Sequence, residues 1–168
     1  SEYRNYTITT TNVEEIQFIN ETVSLVDDDL GVLVNTTTAG HQIEPTVAVL
    51  EDDTFVVIWS SSGQDGDGAH YSIYGQRFSR NGTKLGSEFR INSCNTGNQR
   101  NPQISALKPD STWNQGFVVT WQTEDKACSS YASVNKAEVY GTVFNLSGER
   151  ITNSFGVGYE FEIANNID

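Results

Sequence analysis

Val32–Leu50 reads VLVNTTTAGHQIEPTVAVL, and Phe89–Leu107 reads FRINSCNTGNQRNPQISAL. The two stretches align without a gap at an offset of 57 residues: Asn35 meets Asn92, Gly40 meets Gly97, Gln42 meets Gln99, Pro45 meets Pro102, and Leu50 meets Leu107. The match continues outward. FVVIW (Phe55–Trp59) meets FVVTW (Phe117–Trp121) at an offset of 62, and IYGQRF (Ile73–Phe78) meets VYGTVF (Val139–Phe144) at 66, an offset shared by Gly82 and Gly148. EFRI (Glu88–Ile91) meets EFEI (Glu160–Ile163) at 72. The offset grows only at turn-rich stretches, which is where a duplicated structural unit tolerates insertions.

The repeated pieces have the character of strands. Val32–Val34, Thr46–Leu50, Phe55–Trp59, Tyr71–Phe78, Glu88–Ile91, Gln103–Leu107, Phe117–Trp121, Glu138–Phe144 and Tyr159–Ile163 are short runs rich in β-branched and aromatic residues. Clusters of Gly, Asn, Asp, Ser and Thr separate them, and no window carries a 3.6-residue apolar period with capping signals. In FVVIW and FVVTW the apolar residues barely alternate, so both faces of that strand are expected to be covered. These readings give an all-β fold of two tandem four-stranded antiparallel units, each reading P-x-[VI]-x-x-L, FVV-x-W, [IV]YG-x-x-F and EF-x-I, packed as a sandwich or as propeller-like blades, with an extended N-terminal strand. Residues 1–31 form the tail, 32–92 the first unit, and 93–168 the second, with Tyr159 opening the first strand of a third. Two units are too few to close a propeller ring, which takes about four to eight blades.

Composition sets outer bounds. The 168 residues carry 22 acidic and 10 basic side chains, a net charge of −12. Nucleic-acid binding needs a basic stripe, and none exists. No run approaches the roughly 18 apolar residues of a membrane helix, so no membrane insertion is expected. Aromatic residues make up 11% of the chain, enough to nucleate a core and to argue against disorder. Methionine is absent, and the chain reads as a processed or internal piece of something longer.

The string P-x-V-A-x-L, FVV-x-W, GQDG, YGQRF and G-x-x-x-G-x-EF-x-I-N, here Pro45–Leu50, Phe55–Trp59, Gly63–Gly66, Tyr74–Phe78, Gly82, Gly86 and Glu88–Asn92, resembles the tandem β-repeats of large secreted, adhesin-like cell-surface proteins. The resemblance spans about residues 32–163, and the second unit departs from it at GQDG and YGQRF. It implies a surface or structural role and transfers no active site.

Several constellations bear on chemistry. Asn5, Asn20, Asn35, Asn81 and Asn145 head Asn-x-Ser/Thr sequons, candidates for N-linked glycans in a secreted protein; a bacterial surface repeat would leave them unmodified. Asn92-Ser-Cys is a weaker variant. Cys94 and Cys128 fit one disulfide in an oxidising compartment and two buried thiols otherwise. Asp65 and Asp67 sit among glycines at calcium-like spacing, but no bidentate Glu follows at the distance an EF-hand needs; solvated turns are the plain alternative to Ca. Trp59 and Trp121 match between units and read as core. Trp113 and Tyr131 lie in the longer loops of the second unit and are the candidates for a ligand or carbohydrate patch. His41 and His70 are the two histidines, and no G-x-S-x-G, HExxH or P-loop occurs, so no enzyme is expected.

The function expected is that of an extracellular or cell-surface structural glycoprotein. It would be a filament or surface-layer subunit that pairs with itself when one chain's N-terminal strand completes a neighbour's sheet. The alternative is a carbohydrate- or ligand-binding adhesion module.

Overall fold

The computed structural model describes residues 32–66, 70–93, 97–108, 116–124, 138–152 and 160–164, the residues 161–164 by backbone alone. The described fold is all-β. Strands β1 (Gln42–Val49), β2 (Phe55–Ser62), β3 (Tyr71–Phe78) and β4 (Lys84–Arg90) form one sheet. Strands β5 (Asn98–Leu107), β6 (Gly116–Glu124), β7 (Glu138–Asn145) and β8 (Glu160–Ala164) form the other. Each sheet is an antiparallel meander in sequence order. The N-terminal strand expected over 1–31 lies outside the described residues.

Residues 32–34 form no strand; Val32 and Leu33 are 63% and 62% exposed. The segment expected to open a third unit instead closes the second, because β8 pairs with β7 from Thr142↔Glu160 to Val139↔Ala164. Its motif partner EFRI behaves the same way, with Phe89 opposite Gly75 in the first sheet. EF-x-I is therefore the fourth strand of each unit.

The duplication extends to irregularities. In β1 the register shifts between Ile43 and Thr46, and in β5 between Arg100 and Gln103. The bulge residues are Glu44 (φ 57°) and Asn101 (φ 55°), equivalent positions that both adopt the left-handed conformation. Each precedes a proline, whose ring disfavours the right-handed helical region for its predecessor. A bulge supplies a place where the alternative is tolerated. The β3–β4 hairpin also repeats: Ser79 N donates to Thr83 O and Gly82 N to Ser79 O, while Asn145 N donates to Glu149 O and Gly148 N to Asn145 O.

The two sheets pack front to back. Strand partners share a face, so the first sheet has one face bearing Val56, Ile58, Ile73 and Gly75 and another bearing Phe55, Val57, Trp59 and Phe78. The core joins Val56, Ile58, Ile73 and Ile91 to Phe117, Val119, Trp121, Tyr140 and Phe144. In the repeat alignment Phe117, Val119 and Trp121 are the counterparts of Phe55, Val57 and Trp59. One face of the first unit thus meets the opposite face of the second, as in successive blades. Two-fold packing would instead bring equivalent faces together. Burying the three fully enclosed aliphatics Val56, Ile58 and Ile73 stabilises the stack by about 2 kcal/mol each.

An aromatic and a polar contact join the two sheets beside the aliphatic centre. Phe89 of β4 meets Phe144 of β7 edge-on, ring centroids 5.7 Å apart. Arg77 Nη1 donates to the Ser147 carbonyl at 2.9 Å. A Cβ on Gly148, which has φ 80°, would lie 2.7 Å from Arg77 Cδ, so the hairpin turn needs its glycine for both reasons.

Candidate functional site

Front-to-back packing leaves two sheet faces without a partner among the described residues. The first is the Phe55/Val57 side of the first sheet. Its β1 stripe is Pro45, Val47 and Val49, all exposed, with Val47 at 58% and Val49 at 44%. The counterparts in β5 are Pro102, which is fully buried, and Ile104 and Ala106, which pack against the core. The same three positions are therefore interior in one unit and exterior in the other. Phe55 and Val57 beside them are half-buried, whereas their counterparts Phe117 and Val119 are completely enclosed.

The second open face belongs to the second sheet. Val118 and Thr120 of β6 and Val139 and Val143 of β7 are half-buried. Val56, Ile58 and Ile73, the counterparts of Val118, Thr120 and Val139, are at 0% exposure against the neighbouring sheet. Arg77 is the counterpart of Val143, so the outer version of this face is less charged than the inner one.

The other half of the first open face is closed from within. The loop 63–66 folds over it and buries the Asp65 side chain to 4% exposure. Ser72 Oγ and the Tyr74 hydroxyl donate to its two carboxylate oxygens, and Arg90 Nη1 lies 3.4 Å from Oδ2. Burial first, then the hydrogen bond to Asp65 and the charge of Asp65, push the Tyr74 phenol well above its ordinary value. Gln64 extends the network, with Ser61 Oγ donating to its Oε1 at 2.7 Å and its Nε2 donating to Glu88. The second unit keeps the tyrosine and changes the source of the acid: Tyr140 donates to Glu138 Oε2 at 3.1 Å. GQDG is thus a clasp for the end of its own sheet. Asp67, its expected partner in a calcium loop, lies outside the described residues. No cluster of three His, Cys, Asp or Glu side chains able to hold a metal occurs among the described residues.

The remaining sequence candidates separate clearly. Asn81 is exposed at the tip of its hairpin; its Oδ1 accepts from Thr83 N at 3.2 Å and from Ser79 Oγ. Asn145 Nδ2 donates to Glu149 Oε2 at 2.8 Å, and Asn35 Nδ2 to Thr37 O at 2.7 Å. Asn92 is 2% exposed, and its Oδ1 accepts from Ile73 N at 2.7 Å. Of these four, Asn81 presents its amide most openly. Trp59 and Trp121 are buried at 3% and 2%, with their indoles donating to Gln42 Oε1 at 3.0 Å and Gln99 Oε1 at 3.1 Å. His41 and His70 are exposed loop residues. Asn5, Asn20, Cys94, Cys128, Trp113 and Tyr131 lie outside the described residues.

The chain matches no family model, no curated protein and no solved structure.

One residue that joins the two units carries no motif in the sequence: Glu44. It sits on the β1 bulge and reaches into the second unit. Its Oε2 accepts from Ser60 Oγ and from Asn101 N, both at 2.8 Å, and its Oε1 from Arg100 Nη2 at 2.8 Å. Burial by itself would raise this carboxyl, but the Asn101 amide, the Ser60 hydroxyl and the Arg100 guanidinium outweigh it and hold the group below its ordinary value. Arg100 also lies over the Tyr71 ring, 4.9 Å from its centroid. In the repeat alignment Glu44 falls opposite Asn101 and Ile43 opposite Arg100, exchanges that look like ordinary divergence.

Proposed function

We propose that this protein is an extracellular structural module that works by assembly, its four-stranded units stacking between chains as they do within one. The observation that carries this reading is the front-to-back packing of the two units. Equivalent faces do not meet, so each end of the pair presents a face with no partner among the described residues, and one such face carries exposed valines where its counterpart is core. Heterologous contacts of this kind build rings when the rotation closes and filaments when it does not. The sequons and the resemblance to surface-protein repeats support an extracellular setting, with Asn81 the glycan site most open to solvent. Since β8 already occupies the second sheet, chains join by stacking of faces, with strand exchange through residues 1–31 as an additional contact.

The test is sedimentation velocity of the purified intact chain over a wide concentration range, paired with electron micrographs of native material. Oligomers that grow with concentration, seen as rings or filaments, are the expected result. A monomer at every concentration refutes the proposal.

A further inference from the structure

We infer that the occupant of the open β1 face is the outer β6–β7 face of a second copy of this chain, docked as the first unit docks on the second. This rests on the assembly reading and specifies its joint. The internal interface serves as the template. There, the face bearing Val56, Ile58 and Ile73 covers the face bearing Pro102, Ile104, Ala106, Phe117 and Val119. A second copy offers Val118, Thr120 and Val139 in place of the first set, and the open face offers Pro45, Val47, Val49, Phe55 and Val57 in place of the other. Both sets are apolar or β-branched, and each is only partly buried in the single chain.

The polar anchors change together on the two surfaces, which is what argues for this occupant over an unrelated partner. Inside the chain, the Glu44 carboxylate meets Arg100 and the Asn101 amide. At the joint between copies the counterpart of Glu44 is the neutral Asn101, and the counterpart of Arg100 is the apolar Ile43. The neighbour's Glu44, which takes the place of Asn101 there, keeps its carboxylate paired with Arg100 and Ser60 of its own chain, so docking strands no charge in an apolar interface, which would be strongly unfavourable. Asn101 is exposed and held by Gln122, its Nδ2 donating to Gln122 Oε1 at 3.1 Å. Its carboxamide oxygen is the acceptor a neighbour's Glu44 N–H would meet, as Glu44 now accepts from Asn101 N. At the turn, Val143 replaces Arg77 and would face the neighbour's 79–83 hairpin, the counterpart of the one that Arg77 now grips.

Complementation between two variants of the full chain tests the joint. Val47→Asp with Val49→Asp blocks one face, and Val118→Asp with Val143→Asp blocks the other. Each variant alone should sediment as a monomer under conditions where the parent assembles, and an equimolar mixture should form a dimer and stop there. Self-association of either variant at the parental level, or a mixture that stays monomeric, overturns the inference while leaving the assembly reading standing. A parent chain that is itself monomeric overturns both. Should an aspartate variant fail to fold by circular dichroism, Val→Thr at the same positions keeps shape and strand preference. Each threonine pair is expected to weaken association roughly tenfold or more, and unchanged association would refute the joint equally.

Discussion

Glu44 and Asn101 are the same position in two copies of one unit, and they are bonded to each other. Both hold the left-handed conformation on a bulge, at φ 57° and 55°, and the Asn101 amide donates to the Glu44 carboxylate at 2.8 Å. Front-to-back stacking, which sets the Val56 face of one unit against the Phe117 face of the next, brings this repeat position beside its own counterpart. The bulge does two things at once. It turns the strand at the proline and aims an acceptor at the next unit.

This pairing makes stability depend on pH with a definite sign. The folded Glu44 carboxyl lies below its ordinary value of 4.5. Its contribution is therefore present above the unfolded value and lost as pH falls through the folded one. Glu44→Gln should lower the thermal midpoint at pH 7, at a cost of about 1–2 kcal/mol from weaker charge-assisted bonds. The gap from the parent should close as pH is lowered past the folded value. Thermal melts of both chains across pH 3–7 check this, and a gap independent of pH would show that Glu44 acts through packing alone.

The inequivalence of Val47 and Ile104 gives a second prediction. They occupy one position in the repeat, yet Val47 is 58% exposed while Ile104 packs against the core. Ile104→Ala should destabilise the fold by about 1–2 kcal/mol, less than a fully buried isoleucine would lose. Val47→Ala should leave monomer stability within about 0.5 kcal/mol of the parent. Urea denaturation of the two variants separates these outcomes, and equal losses would mean that the β1 stripe is covered within the chain.

Much of this was legible in the sequence, and the failures have physical reasons. Tyr71–Phe78 is legible with both its ends because Ile73, Tyr74 and Phe78 feed the two faces of a central strand. Strand β2 runs on through Ser60, Ser61 and Ser62, which are buried. An apolar count stops at Trp59, since the serines are tolerated only because Glu44, Gln64 and the His41 N–H bond their hydroxyls. Strand β1 begins at Gln42, before the bulge breaks its alternation. Non-alternation in FVVIW indicated that both faces are covered, but one of them, at Phe55 and Val57, is only half-buried in the chain. The facing of the two sheets was hidden for the same reason that Glu44 was. Its markers are exchanges between aligned residues, and an alignment scores exchanges as noise.

Asp65 carries a third prediction, concerning metal. Its carboxylate oxygens are engaged by Ser72, Tyr74 and Arg90 within a nearly closed site. Asp65→Ala should cost about 3 kcal/mol, because it takes the acceptor from the buried Tyr74 phenol and Ser72 hydroxyl and leaves Arg90 with only the Asn92 and Ser93 carbonyls. Chelation by EDTA should leave the thermal midpoint of the parent unchanged, and added calcium should not raise it. A calcium-dependent rise that vanishes in the Asp65 variant would show that the loop opens to take the ion.

Charge supplies the last prediction. Every copy carries a net −12, so copies repel at long range, while the proposed joint is apolar at its centre and neutral at its anchor. Screening shortens the repulsion to a Debye length of about 8 Å at physiological ionic strength, against about 30 Å at 0.01 M. Association should therefore strengthen as salt is raised over that range, because repulsion fades while apolar burial does not. A joint held by ion pairs would behave in the opposite way and loosen as its attractions were screened. Sedimentation of the parent chain across a salt series distinguishes the two, and a steep loss of association with salt would move the contact away from the Val47 face to a charged surface.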